Sequence, residues 1–177
     1  DYFNFLFKNK RKIIRKNRNS IAILDGRETD DEYKKLSYDI FMYFGLGCRN
    51  VSKLFVPRSF DFNHLKAIFQ DAFNITCQAY LDNYNYQKSI LNMHAIDFLD
   101  FNNLLVVESE YVNSPIAVLY YQYYDSSSVI DEFLNFHRDS IQCIVGRNSL
   151  IDFGKTQAPL VFNPPDNIDV MRFLSSD

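Results

Sequence analysis

The residues best equipped for chemistry stand together in Tyr43-Phe44-Gly45-Leu46-Gly47-Cys48-Arg49-Asn50. A cysteine that follows two glycines, between the end of a helical pattern and the start of an apolar run, sits on a loop whose backbone can approach a ligand closely. The thiolate is the nucleophile, and an ordinary thiol, with a pKa of about 8.5, is only slightly ionised at neutral pH. Arg49 beside it favours ionisation, and carbonyls at the end of the preceding helix oppose it. On pattern alone Cys48 reads either as a nucleophile or as a small buried side chain. Cys77, four residues after Phe73 on an apolar helical face, and Cys143, inside the run Ile141–Val145, read as core. His64, His94 and His137 are scattered without metal-ligand spacing, so no metal site is expected. Glu108 and Glu110 follow a buried strand, where carboxylates either reach a site edge or are simply solvated. Tyr120-Tyr121-Gln122-Tyr123-Tyr124 reads as an edge or interface strand.

These residues need elements to position them. Ser20–Leu24 reads as a buried strand closed by the turn Asp25-Gly26. Thr29 with Glu32 forms a capping-box pattern, opening a helix with Tyr33, Leu36, Ile40 and Phe44 on one face, stopped by Gly45-Leu46-Gly47. Val51–Val56 is the next strand, ended by Pro57. Asp61 caps a second helix that carries Leu65, Ile68, Phe69, Ala72, Phe73 and Tyr80. Leu104–Val107 and Ile116–Tyr121 are strand-like, Ser127 or Ser128 opens a third helix, and Ile141–Val145 is a further strand. Strands alternating with helices predict an α/β domain, a mainly parallel sheet covered on both faces in three layers. After residue 150, Phe153-Gly154, Pro159 and Pro164-Pro165 break regular structure, and Ile168–Leu174 is the remaining candidate element.

Hydrophobic residues make up 47% of the 177, enough for a packed core without a metal or disulfide staple, which excludes intrinsic disorder. No apolar run approaches the roughly 18 residues of a membrane span. The apolar start Tyr2–Phe7 precedes a basic run, the reverse of a signal peptide. With three cysteines and no CxxC pair, a reducing, cytoplasmic compartment is expected. The start at Asp1 rather than Met suggests a fragment or a processed product. Residues 8–18 hold seven of the 19 basic side chains, leaving 12 against 22 acidic ones elsewhere. This run reads as a solvated linker or as a surface for the phosphates of CoA or a dinucleotide. Without a stacking platform it does not point to nucleic acid.

Two segments resemble the LuxC-type bacterial acyl-CoA reductases of the aldehyde dehydrogenase superfamily: Ile13–Leu24 and Asp39–Lys53, the latter containing Gly45-Leu46-Gly47-Cys48-Arg49-Asn50. Weaker similarity continues through Ser114–Tyr121, Ile141–Gly146 and Phe153-Gly154. The resemblance implies an aldehyde dehydrogenase-like catalytic domain and NADPH-dependent reduction of a fatty acyl thioester to an aldehyde. In such enzymes a cysteine takes the acyl group before hydride attacks it, and the matching residue is Cys48, with Arg49 as thiolate support. The backbone N–H of Cys48 would be one oxyanion donor.

The resemblance also implies a cofactor domain ahead of this region. Residues 1–18 would then be a basic linker, 19–150 the catalytic domain and 151–177 a C-terminal tail. The chain itself has only five glycines and no glycine-rich phosphate loop. The superfamily's ribose-holding glutamate falls on Tyr111 in a gapless alignment, which makes neighbouring Glu110 the cofactor-binding candidate. Phe153 becomes a candidate for the acyl pocket or the core. The general-base glutamate of aldehyde-oxidising members falls on Arg15, and no acidic residue occurs between Tyr2 and Asn19. Implied partners are a fatty acyl-CoA or other acyl thioester, an acyl-protein synthetase or transferase, and a second copy of the chain. A non-catalytic assembly module and a cofactor-independent thiol acyltransferase are the competing functions.

Overall fold

A computed structural model describes residues 2–160, 164, 166 and 168–175; Asp1 and Pro165 therefore lie outside the described residues. The elements in chain order are α1 (Tyr2–Leu6), β1 (Asn19–Ile23), α2 (Asp30–Phe41), β2 (Val51–Pro57), α3 (Phe62–Ala72), α4 (Gln78–Met93), β3 (Leu99–Asp100), β4 (Leu105–Glu108), β5 (Val118–Tyr124), α5 (Ser127–Phe136), β6 (Ile141–Val145) and α6 (Val170–Ser175). The strands form one sheet in the order β3-β4-β5-β2-β1-β6. All neighbours are parallel except β3 and β4. The three-layer α/β expectation therefore holds.

Alternation along β1 and β2 explains the layering. Ala22 and Leu24 of the β1 segment, with Leu54 and Val56, face the main core beneath α2, α3 and α4. Ile21 and Phe55 face a smaller core shared with Ile130 and Phe133 of α5. The capping box at Thr29 is formed, with Glu32 closing it, and Asp61 caps α3 by accepting from the N–H groups of Asn63 and His64.

Several elements depart from the sequence pattern. The second helix stops at Ala72, because Phe73 turns extended and Asn74, Ile75 and Thr76 are weak helix formers. Cys77 then caps the separate helix α4, so it does not lie on the apolar face of the preceding helix. Helix α4 was hidden because it buries only Tyr80, Tyr84 and Leu91 along a polar sequence. The tyrosine-rich strand β5 is not an edge: it pairs with β4 on one side and β2 on the other. The β-propensity of aromatics reads the same at either position, and pairing decides which. Phe44 is not part of the α2 face, since α2 ends at Phe41 and Phe44 is 41% exposed.

Candidate active site

The loop between α2 and β2 is built around one side chain. Asn50, 1% exposed, donates through Nδ2 to the carbonyls of Asp39 (3.1 Å), Ile40 (3.2 Å) and Met42 (2.8 Å), satisfying the end of α2. Its Oδ1 accepts from the N–H of Gly47 at 2.9 Å, and its own N–H donates to the Gly47 carbonyl at 3.0 Å. The turn 47–50 that carries Cys48 is thereby closed on itself. A Cβ at Gly47 would lie 2.8 Å from Asn50 Oδ1, which is why glycine stands there.

The chain enters this turn through Tyr43 (φ 52°), Phe44 (φ 57°) and Gly45 (φ 74°), three successive left-handed residues. Two of them carry side chains, a conformation costing about 1–3 kcal/mol each that persists only where the surroundings enforce it. The result holds Tyr43, Phe44 and Leu46 out to solvent beside the cysteine.

Cys48 is exposed, and Ser20, wholly buried at the start of β1, donates through Oγ to the Cys48 carbonyl at 3.1 Å. Among the described residues the Cys48 N–H has no hydrogen-bond acceptor. The thiol opens on a cavity of about 570 Å³ lined by Arg15, Lys16, Arg18, Asn113, Ser114 and Asp166, among others. Since these residues precede or flank β1, β2 and β5, the cavity lies at the amino ends of the parallel strands. Asp166 pairs with Arg15 at 3.4 Å. Sequence spacing carried no sign of Asp166, which arrives from the tail, far along the chain.

The other candidates go elsewhere. Arg49 donates through Nε to the Thr156 carbonyl and lines a neighbouring cavity of about 740 Å³ along β6, together with Cys143. Burial pushes the Cys143 thiol up, and Arg49 partly offsets this. Phe153 is 5% exposed and belongs to the main core. It is drawn in by Asp39, whose carboxylate accepts from the N–H of Gly154 (2.6 Å), the N–H of Thr156 (3.1 Å) and the Thr156 hydroxyl (2.7 Å). Glu110 is exposed on a third cavity, also about 740 Å³, with Glu108, Tyr111, Gln122 and His137. Cys48 and Glu110 therefore share no cavity, although one crossover, 109–117, runs between their two sites.

A lysine the pattern did not single out lies beneath that crossover. Lys53 on β2 is 0% exposed, with Nζ 5.3 Å from the Phe55 ring centre and 4.8 Å from that of Phe133. Desolvation pulls its pKa down from 10.5 to about 8, with the Glu110 charge opposing. The unfolded chain therefore binds the extra proton more readily between pH 8 and 10.5, and stability should rise with pH across that window. Relative to Lys53→Met, wild type should gain up to about 3 kcal/mol there, measured by chemical denaturation at a series of pH values. A parallel pH dependence in the two proteins would refute this.

No protein-family model matches the sequence, and a search of curated proteins finds no match. Solved structures do match in fold. The indole-3-acetaldehyde dehydrogenase AldA of P. syringae, solved with NAD+, aligns over 81% of this chain at TM-score 0.56 and 9% identity. HpcC of Thermus thermophilus aligns over 81% at 0.53 and 12% identity, and an NAD-dependent aldehyde dehydrogenase of Sinorhizobium meliloti over 80% at 0.52 and 10%. The chain covers 36%, 36% and 34% of those proteins, about a third of their length. It thus has the fold of an aldehyde dehydrogenase catalytic domain.

Proposed function

We propose that this chain is the catalytic part of a cysteine-dependent oxidoreductase and that the complete enzyme reduces a fatty acyl-CoA to an aldehyde with NADPH, in the manner of LuxC-type reductases. The observation that carries the reading is an exposed Cys48 on a tightly closed turn, with an unengaged backbone N–H, beside an arginine rather than a free carboxylate. The Cys48 sulfur attacks the thioester carbonyl. The bond from that carbon to the CoA sulfur breaks, and CoA leaves as a thiolate that takes up a proton. The Cys48 N–H donates to the oxygen on which negative charge develops. NADPH, when bound, supplies the hydride that reduces the acyl carbon; cleavage of the carbon–Sγ bond then releases aldehyde and restores the Cys48 thiolate.

Fit to the cofactor is partial within this chain. The exposed Glu110 carboxylate can accept from ribose hydroxyls, while no phosphate loop is present, so the rest of the dinucleotide would be held by residues outside this chain. Tyr43, Phe44 and Leu46, exposed beside the thiol, suit an apolar acyl chain. Self-association and delivery of the acyl group by a partner enzyme rest on the family resemblance alone. Free Cys48, Cys77 and Cys143 suit a reducing, cytoplasmic setting, and among the described residues no helix is long and apolar enough to cross a membrane.

The test is the mass of the folded protein after incubation with acyl-CoA without NADPH, followed by peptide mapping. One acyl group on Cys48 is the expected outcome. Acylation of Cys77 or Cys143 instead, or none at all, would contradict the proposal.

A further inference from the structure

We infer that Lys53 is a positioning residue that holds the crossover 109–117 in register between the thiol site and the Glu110 site. The inference rests on the reductase reading for its consequence but not for its geometry. Nζ of Lys53 donates to the backbone carbonyls of Ser109 and, at 3.3 Å, Tyr111, the residues flanking Glu110. The preceding residue, Ser52, donates through Oγ to the Val112 carbonyl at 2.8 Å. Three carbonyls in four consecutive residues are thus held by adjacent side chains of β2, the strand that begins three residues after Cys48. The held segment leads directly to Asn113 and Ser114, which line the Cys48 cavity. One strand therefore sets the place of the thiol at its start and of the crossover along its length.

A fully buried ammonium is an expensive way to fill this position. The strand continues apolar in Leu54, Phe55 and Val56, and the packed rings of Phe55 and Phe133 would accept an unbranched methionine. Burial also works against the charge, as its lowered pKa records. What methionine cannot do is donate to Ser109 and Tyr111. A lysine kept at a cost to stability, with both bonds directed at one loop, fits a role in ordering that loop.

The experiment compares the complete wild-type enzyme with Lys53→Met by amide hydrogen exchange and by steady-state kinetics. Exchange across 109–113 should quicken at least about tenfold in the variant, with β2 and β5 unchanged and thermal stability at pH 7 not lowered. KM for NADPH should rise at least about fivefold, while the rate of Cys48 alkylation stays within about twofold. Unchanged exchange at 109–113, or faster exchange throughout the domain, would overturn the inference. Exchange and alkylation need no turnover, so they report on Lys53 even if the enzyme proves not to reduce acyl-CoA. Should Lys53→Met not fold, Lys53→Leu, which likewise has no donor, gives the same reading: local loosening at 109–113 supports the role, and none overturns it.

Discussion

Cys48→Ala is expected to lower acyl-CoA reduction by the complete enzyme by at least about three orders of magnitude and to leave the fold intact. The first effect follows because without the sulfur no acyl-enzyme forms, and the remaining hydrogen-bond donors have no covalent intermediate to stabilise. The second follows from the site. The Cys48 side chain is exposed, and the turn is closed by Asn50, Gly47 and the backbone carbonyl of residue 48, all of which the variant retains. Melting temperature should therefore correspond to a change within about 0.5 kcal/mol. Reduction at a rate within tenfold of wild type would show that the acyl group is carried elsewhere.

The second large effect concerns water. Hydrolysis of an acyl-enzyme needs a base to take a proton from the attacking water, a contribution of roughly 10²–10⁴-fold. At the position that the resemblance to aldehyde dehydrogenases would align with the base of aldehyde-oxidising members stands Arg15, which has no acceptor atom on its guanidinium. A carboxylate from the tail, Asp166, lines the same cavity but is paired with Arg15 at 3.4 Å. Its Oδ2 is thereby engaged by the guanidinium. Acyl-Cys48 formed without NADPH should therefore lose its label as fatty acid at least about a hundredfold more slowly than the complete enzyme turns over reductively. Arg15→Gln frees Asp166 and should speed release about tenfold or more, and adding Asp166→Asn should cancel the gain. Wild-type release as fast as reduction would show that an effective base acts on acyl-Cys48. Faster release in Arg15→Gln that survives Asp166→Asn would place the base on another residue.

Short-range physics was legible in the sequence. Thr29 with Glu32 and Asp61 before an apolar helix marked two helix starts, because a capping oxygen needs only its own next three residues. The apolar runs of β1, β2, β4 and β6 marked strands buried on both faces, and their alternation with helices marked a parallel sheet. The glycines around Leu46 marked a loop bearing Cys48, but whether the thiol is buried or exposed was settled only by the folded chain, where it is exposed. Lys53 could have been noticed as well, since a charge within Val51-Ser52-Lys53-Leu54-Phe55-Val56 has no solvated face to occupy.

Strand order, and with it the place of everything not local, was decided by tertiary structure. The central position of β5, the neighbourhood of Arg15 and Asp166, the turn of Arg49 toward Thr156 and the core burial of Phe153 each depend on contacts between segments far apart in the chain. Periodicity reports which face of an element is apolar but not which other element covers it. A polar side chain's partner depends on which segments the packed sheet brings within about 3 Å of it. For that reason the nucleophile's loop could be read from eight consecutive residues, while the charges around the thiol became visible only in the folded chain.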